Sequence, residues 1–225
     1  MFEQTAITHH IQKYIIDVLM FQEVARFRDL RPPKIDTNLF SYHLKLLIKN
    51  NIVKKLDSGY TLSTNGLAYV DRVSVLSKAV RTQPKIITML VVQNSDGDVL
   101  LWRRKRQPYI NAWTLPYGKL HTDDVSLEAA VQRELTEKIV LTDQAVRHVG
   151  DCYIHVNTHG KLLSNTLAHI FRFERDDIAT NDNLIWVKPH RLGEYKLAPA
   201  VEHIIARSFF NDPHFFEEFY EDWEA

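Results

Sequence analysis

A chain of 225 residues that is 45% hydrophobic and 25% charged carries enough apolar material for two modest cores, which excludes disorder as its main content. The 28 Lys+Arg balance 28 Asp+Glu overall, yet residues 1–83 hold 12 basic against 7 acidic side chains and the remainder 16 against 21, so the front is the part suited to a polyanion. The single cysteine, Cys152, excludes an intramolecular disulfide, fits a reducing compartment and reads as a small buried side chain. The apolar stretch Tyr14 to Phe21 is interrupted by Asp17 and no basic segment precedes it. Neither a signal peptide nor a membrane span is expected, and the cytoplasm is the expected setting.

Ile11, Ile15, Val18 and Leu19 recur at helical spacing and predict an amphipathic helix over 8–20. A short helix over 24–30 is expected to stop at Arg31-Pro32-Pro33, because proline lacks the N–H donor and restricts the residue before it. Asp36 or Thr37 then caps a helix reaching Asn50, with Phe40, Leu44, Leu47 and Ile48 inward and Ser41, Lys45 and Lys49 outward. Residues 52–56 and 60–62 read as two strands joined by Asp57-Ser58-Gly59, and helical spacing resumes over 63–77. The polar stretch 78–84 marks a boundary, giving domains at 1–83 and 84–210 and an acidic, aromatic tail at 211–225 that holds six acids and five aromatic residues.

The second part opens with a β-branched run at 85–93, a turn at 94–98 and a strand from Val99 to Trp102. A capped helix follows over 126–138, then strand-like runs at 149–156 and 165–173, and a helix over 197–210. Repeats and low-complexity tracts are absent.

The run Asn38-Leu39-Phe40-Ser41-Tyr42-His43-Leu44-Lys45-Leu46-Leu47, with Asn51-Ile52-Val53 and Tyr60-Thr61-Leu62-Ser63-Thr64-Asn65-Gly66 after it, resembles arsenic-repressor-like winged-helix regulators over about residues 8–78. The resemblance implies a helix lying in the major groove of duplex DNA, with Thr37, Asn38, Ser41, Tyr42 and Lys45 toward bases or phosphates and Lys54, Lys55 and Ser58 on the wing. Independently, residues 24–56 carry eight Lys+Arg against two acids, an excess that attracts phosphates. The competing reading of the same lysines is solvation of a fold used for dimerisation or protein contact.

Trp113-Thr114-Leu115-Pro116-Tyr117-Gly118-Lys119-Leu120 and Glu128-Ala129-Ala130-Val131-Gln132-Arg133-Glu134-Leu135-Thr136-Glu137 together resemble the signature of the Nudix hydrolases, over about residues 85–208. The fold class implied is α/β: a winged helix followed by a Nudix α/β/α sandwich with a mixed sheet. In that family the glutamates of the helix bind Mg²⁺ or Mn²⁺, which bridges a nucleotide diphosphate and activates water. Carried over, Glu134 and Glu137 are the metal ligands and, with Arg133, the catalytic residues. They share a helical face three residues apart, and Arg133 is expected to brace Glu137 across one turn.

This sequence departs from the pattern in four places. Lys138 stands where typical members have a second adjacent glutamate and is placed to pair with Glu134. The spacing from Gly118 to Arg133 is one residue longer than usual, Asp123 or Asp124 only approximates an upstream glutamate, and Val140 replaces a closing glycine. His121, Asp123, Asp124 and Glu174 are candidate replacement ligands, with His121 read first as a surface loop residue. Gly118, Arg104 and Tyr117 are expected to contact a nucleotide. Arg103 to Arg106 either grip phosphates or form a solvated strand edge, Tyr109, Trp113 and Tyr117 are candidates to stack on a base with packing the alternative for Trp113, and Trp186 and Leu197-Ala198-Pro199 read as core.

The reading placed first is a regulator in which a divergent, inactive Nudix domain binds a nucleotide and alters DNA affinity, ligand and DNA favouring different interdomain or homodimer arrangements. Some Nudix-related regulators of cofactor metabolism pair the two modules and sense ADP-ribose-like compounds, with the winged helix on the other side. The alternatives are a metal-dependent hydrolase of a nucleoside diphosphate linked to another moiety, and an interaction protein using its acidic tail.

Overall fold

The computed structural model describes residues 7–74, 82–210 and 214–224. Contacts divide the chain into two compact units, Met1–Thr82 and Gln83–Ala225. Of the sequence expectations, the helix over 63–77 is realised only as far as Val70, while residues 75–77 and most of the polar stretch 78–84 lie outside the described residues.

The first unit runs α1 (His10–Met20), α2 (Phe27–Leu30), α3 (Thr37–Lys49), β1 (Val53–Leu56), β2 (Gly59–Leu62) and α4 (Thr64–Val70). Helix α1 places Ile11, Ile15 and Leu19 on one stripe, which packs with Leu30, Phe40, Leu44, Leu47 and Val53 into a single core. Asp36 caps α3 by accepting from the N–H groups of Asn38 and Leu39 at 2.8 and 3.2 Å, donors that no helical carbonyl reaches. The hairpin turn is the two residues Asp57 and Ser58, because Gly59 already pairs with Leu56.

Helix α2 is shorter than its sequence predicts. Ala25 exchanges both of its backbone hydrogen bonds with Tyr60, each at 2.9 Å, and is held extended as a bridge to β2. A residue whose N–H and C=O are spent on a strand cannot also serve a helix, so the helix begins two residues later.

The second unit comprises β3 (Lys85–Gln93), β4 (Val99–Arg103), β5 (Trp113–Thr114), β6 (Tyr117–Lys119), α5 (Leu127–Ile139), β7 (Arg147–Thr158), β8 (Lys161–Glu174), β9 (Leu184–Val187), a 3₁₀ turn (Pro189–Glu194), α6 (Val201–Ser208) and β10 (Phe215–Asp222). Among the described residues eight strands form one mixed sheet, in which β10 runs parallel to β7 and β8 parallel to β3 while the other pairings are antiparallel. Strand β3 explains the layering. Met89 and Val91 join a core with Val201, Ile204 and Ile205 of α6, whereas Leu90 and Val92 join one with Val131, Leu135 and Ile139 of α5. Alternation along a strand buried on both faces therefore sets one helix on each side, an α/β/α sandwich.

Two expectations are corrected here. The helix over 197–210 is confined to Val201–Ser208, since Leu197 bridges Trp113 before it. The stretch expected as a separate acidic tail instead contributes β10, paired with β7 from Phe215↔Gly150 to Asp222↔Asn157. Its alternation was present in the sequence: Phe215, Phe219 and Trp223 pack on the core, while Phe216, Glu218 and Tyr220 are exposed. Glu217 pairs with Arg207 of α6, which offsets one of its acids.

Candidate functional site

Helix α5 and strand β6 meet at the residues that matter. Ser126 caps α5, its hydroxyl accepting from Ala129 N–H at 3.1 Å, and the helix then carries Glu134 inward to a position 3% exposed. Gly118 of β6 makes room for it. A Cβ at Gly118 would stand 1.6 Å from Glu134 Cδ, so only glycine lets the strand backbone and the carboxylate approach this closely.

Both oxygens of Glu134 are engaged by cations. Arg133 Nη1 donates to Oε1 at 2.6 Å and Lys138 Nζ donates to Oε2. Arg133 also forms a two-pronged pair with Asp124, at 3.1 Å from Nε and 2.8 Å from Nη2, and donates from Nη2 to the Lys119 carbonyl at 3.0 Å. The brace expected from Arg133 to Glu137 is not what forms, because the guanidinium turns to the two carboxylates that approach it from the β6–α5 loop and from its own helix. The Arg133 hydrogen bonds, with the N–H of His121, hold the Asp124 carboxyl down at about 2. Glu137 is exposed.

These residues face a cleft of about 560 Å³. Its charged lining, among the described residues, is Lys85, Arg104, Arg106, Lys119, Arg133 and Lys138 against the two carboxylates Glu134 and Glu137. The crowding of positive charge is visible at Lys85: desolvation by surrounding protein atoms, then Arg104 and Lys119, lower its ammonium below the ordinary lysine value, although the residue as a whole is exposed. Arg104 donates to the Pro108 carbonyl at 2.9 Å and to the Tyr117 hydroxyl, and lies over the Tyr109 and Tyr117 rings at 5.3 and 5.1 Å. Lys138 lies over Trp102 and Tyr117 at 5.6 and 5.7 Å.

The cleft thus brings together Gly118, Arg104, Tyr117, Arg133, Glu134 and Glu137 from the sequence-derived set. Tyr109 and His121 also line it, whereas Trp113 packs edge-on to Tyr195 and Glu174 pairs with Arg172 at 3.1 Å. Asp124 is committed to Arg133 and Asp123 is exposed. Lys85, Trp102 and Lys119 were not anticipated. Strand alternation offered a signal for both lysines: Lys85 lies two residues before Ile87 on β3 and Lys119 of β6 pairs with Ile87, so the two share one face of the sheet.

The family model for the NUDIX domain matches residues 83–216. The chain belongs to the NUDIX family. No curated protein matches the sequence. Among solved structures, the NUDIX unit is similar to the MutT protein of Bacillus halodurans, at 21% identity over 60% of this chain and 89% of that one with a TM-score of 0.49. It is also similar to the NUDIX domain of Shewanella oneidensis NrtR complexed with ADP ribose, at 19% identity over 63% and 95% with a TM-score of 0.48. Shewanella oneidensis NrtR complexed with a 27mer DNA follows at 19% identity over 55% and 59%, TM-score 0.44.

NUDIX hydrolases generally use divalent metal ions. The cleft of this NUDIX domain does not fit one. A hard divalent ion needs several oxygen ligands, whereas Glu134 has both oxygens neutralised and Glu137 is the one other carboxylate among the described lining residues. The arrangement can instead neutralise a polyanion directly, through its guanidinium and ammonium groups.

In the first unit, α3 exposes Thr37, Asn38, Tyr42 and Lys45, with Ser41 half-buried between them. Residues 38, 41, 42 and 45 fall on one helical face. Thr37 Oγ accepts from Arg31 Nη1 at 2.7 Å, and Lys54 and Lys55 are exposed on β1. His43 is a core residue that apolar periodicity missed: it is buried and stacked on His9 at 3.7 Å. Burial, then His9 and His10, lower its imidazole below the ordinary value, so it sits in the core as a neutral aromatic ring. Among the described residues no helix is long and apolar enough to cross a membrane.

Proposed function

We propose that the NUDIX domain binds a nucleoside diphosphate derivative without hydrolysing it, and that the chain is a DNA-binding regulator responding to that ligand. The observation that carries the first half is the ion pair of Lys138 with Glu134, which occupies the carboxylate a catalytic metal needs and places a fixed cation in its stead. Six basic side chains suit the diphosphate, and the Trp102 and Tyr117 rings suit a base.

For the second half, the support is the basic, solvent-facing side of α3 with Lys54 and Lys55 on the following hairpin. This is the element order of a winged helix, in which α3 would enter the major groove and the lysines would meet phosphates. Ligand and DNA would favour different arrangements of the chain or of a homodimer, coupling the two affinities.

The test has two arms. Purified chain is mixed with ADP-ribose, dinucleotides, sugar nucleotides and nucleoside triphosphates in magnesium or manganese, with product analysis and calorimetry, beside a Glu134→Gln variant. Binding without turnover is expected; turnover that disappears in the variant would make the chain a hydrolase instead. In the second arm, retention on duplex DNA should fall steeply with salt, be lost in Lys45→Glu with folding intact, and change when the bound nucleotide is added. Unchanged retention in Lys45→Glu would remove α3 from the contact surface.

A further inference from the structure

We infer that the β7–β8–β10 region of the sheet carries a site for a divalent transition-metal ion of the zinc type, made by His148, Asp151, His169 and His214, separate from the cleft. One donor atom from each of His148, Asp151 and His169 lies within 4.8 Å of the other two. Asp151 Oδ1 is 3.0 Å from His148 Nε2 and 2.6 Å from His169 Nδ1, and its other oxygen, Oδ2, is 3.4 Å from His214 Nε2. None of the four residues lines the cleft.

A backbone irregularity brings them together. Residues three apart on a regular strand face opposite sides, yet the β7–β8 register shifts between His148 and Gly150: His148 pairs with Phe171 and Asp151 with His169. The extra residue, Val149, turns His148 and Asp151 to one face, where His169 and Phe171 already point, and bulges commonly re-aim side chains in this way. Gly150 then admits β10. A Cβ there would meet the Phe215 ring at 2.5 Å, and Phe215 is the residue that follows His214. The His148 ring is stacked on Phe171 at 4.8 Å, which fixes its plane.

The donor set selects the ion. Three imidazoles and a carboxylate suit zinc, cobalt or nickel, whereas magnesium and calcium prefer oxygen throughout. Tetrahedral bonds of ~2.0 Å place ligand atoms ~3.3 Å apart, so the contacts to Asp151 Oδ1 must open slightly while the donor atoms of the cluster, now within 4.8 Å of one another, draw together around the ion. On uptake, each imidazole now donating to Asp151 moves its N–H proton to the other ring nitrogen and presents a lone pair, so no net charge is created on the ligands. His214, with a side chain 44% exposed, stands at the entrance.

The probe is Co²⁺ titrated into the full chain and read by visible absorption, followed by displacement with Zn²⁺ and by thermal unfolding with and without Zn²⁺. Expected are one ion per chain, the intense bands of tetrahedral Co²⁺, their loss on Zn²⁺ addition, and a raised Tm. The cleft variant Glu137→Gln, at an exposed carboxylate, should keep all of these. His214→Ala, at an exposed position, should weaken binding by at least about tenfold while the circular dichroism is unchanged. His148→Gln combined with Asp151→Asn should abolish it. Absence of the bands at equimolar Co²⁺, their survival in His148→Gln/Asp151→Asn, or their loss in Glu137→Gln would each overturn the site, leaving a hydrogen-bonded cluster that only ties β7 to β8 or an ion held in the cleft.

Discussion

Lys138 donates to Oε2 of Glu134 from one turn further along α5, and the pair is nearly sealed from water, with side-chain exposures of 18% and 4%. An ion pair on an open helix face contributes little, but here removing either partner leaves a largely buried charge without its counter-ion at the wall of the cleft.

Lys138→Glu should therefore change two binding properties in opposite directions. Manganese affinity, followed by calorimetry or electron paramagnetic resonance, is expected to rise by at least tenfold because a second carboxylate replaces the cation that blocks the first. Nucleotide affinity in metal-free buffer is expected to fall by about tenfold, equivalent to about 1.4 kcal/mol for the lost cation. If both affinities stay as they were, Lys138 is not what keeps metal out.

Gly118→Ala tests the contact beneath the same carboxylate. The added methyl falls on Glu134, so either the side chain leaves its two cations or β6 lifts from β3. Overpacking of this sort costs about 1–3 kcal/mol, which a urea midpoint would register. Retention of wild-type stability would mean that the glutamate is not held against the strand.

Val140 closes α5 in the left-handed region, at φ 61° and ψ 35°, and is 85% exposed. A β-branched residue pays about 1–2 kcal/mol there, whereas glycine adopts the conformation freely but loses more chain entropy on folding. Val140→Gly is expected to raise stability by about 1 kcal/mol in denaturant unfolding, with no effect on ligand binding. A loss of stability would show that Val140 makes a contact worth more than its strain.

Cys152 is fully buried in the sheet, and burial, reinforced by Asp151 and Glu217, pushes its thiol up to about 12 from 9.0. The thiol should resist alkylation at pH 8 until the chain unfolds. The folded state keeps the proton through a range in which the unfolded chain releases it. Stability from this group is thus complete below pH 9 and declines between pH 9 and about 12, and Cys152→Ala should flatten that decline. Rapid labelling of the native chain would contradict the burial.

Much of the fold was legible because helices and strands advertise their buried faces locally. Ile11, Ile15 and Leu19 predicted α1, Ser126 marked the start of α5, and the β-branched run over 85–93 marked β3. The pairing of Lys138 with Glu134 was also readable, since a four-residue spacing on a helix is itself a statement about distance.

What the tertiary structure alone decided is where distant backbone and side chains meet. Ala25 was taken from α2 by Tyr60, Arg133 chose Asp124 and Glu134 over Glu137, and the acidic aromatic end became β10 only because β7 offered an unpaired edge. His148, Asp151, His169 and His214 come from three strand regions joined by one bulge, and no local period encodes that. Periodicity reports which face of an element is buried. It does not report which partner satisfies a hydrogen bond or a charge, because that is settled by competition among groups far apart in the chain.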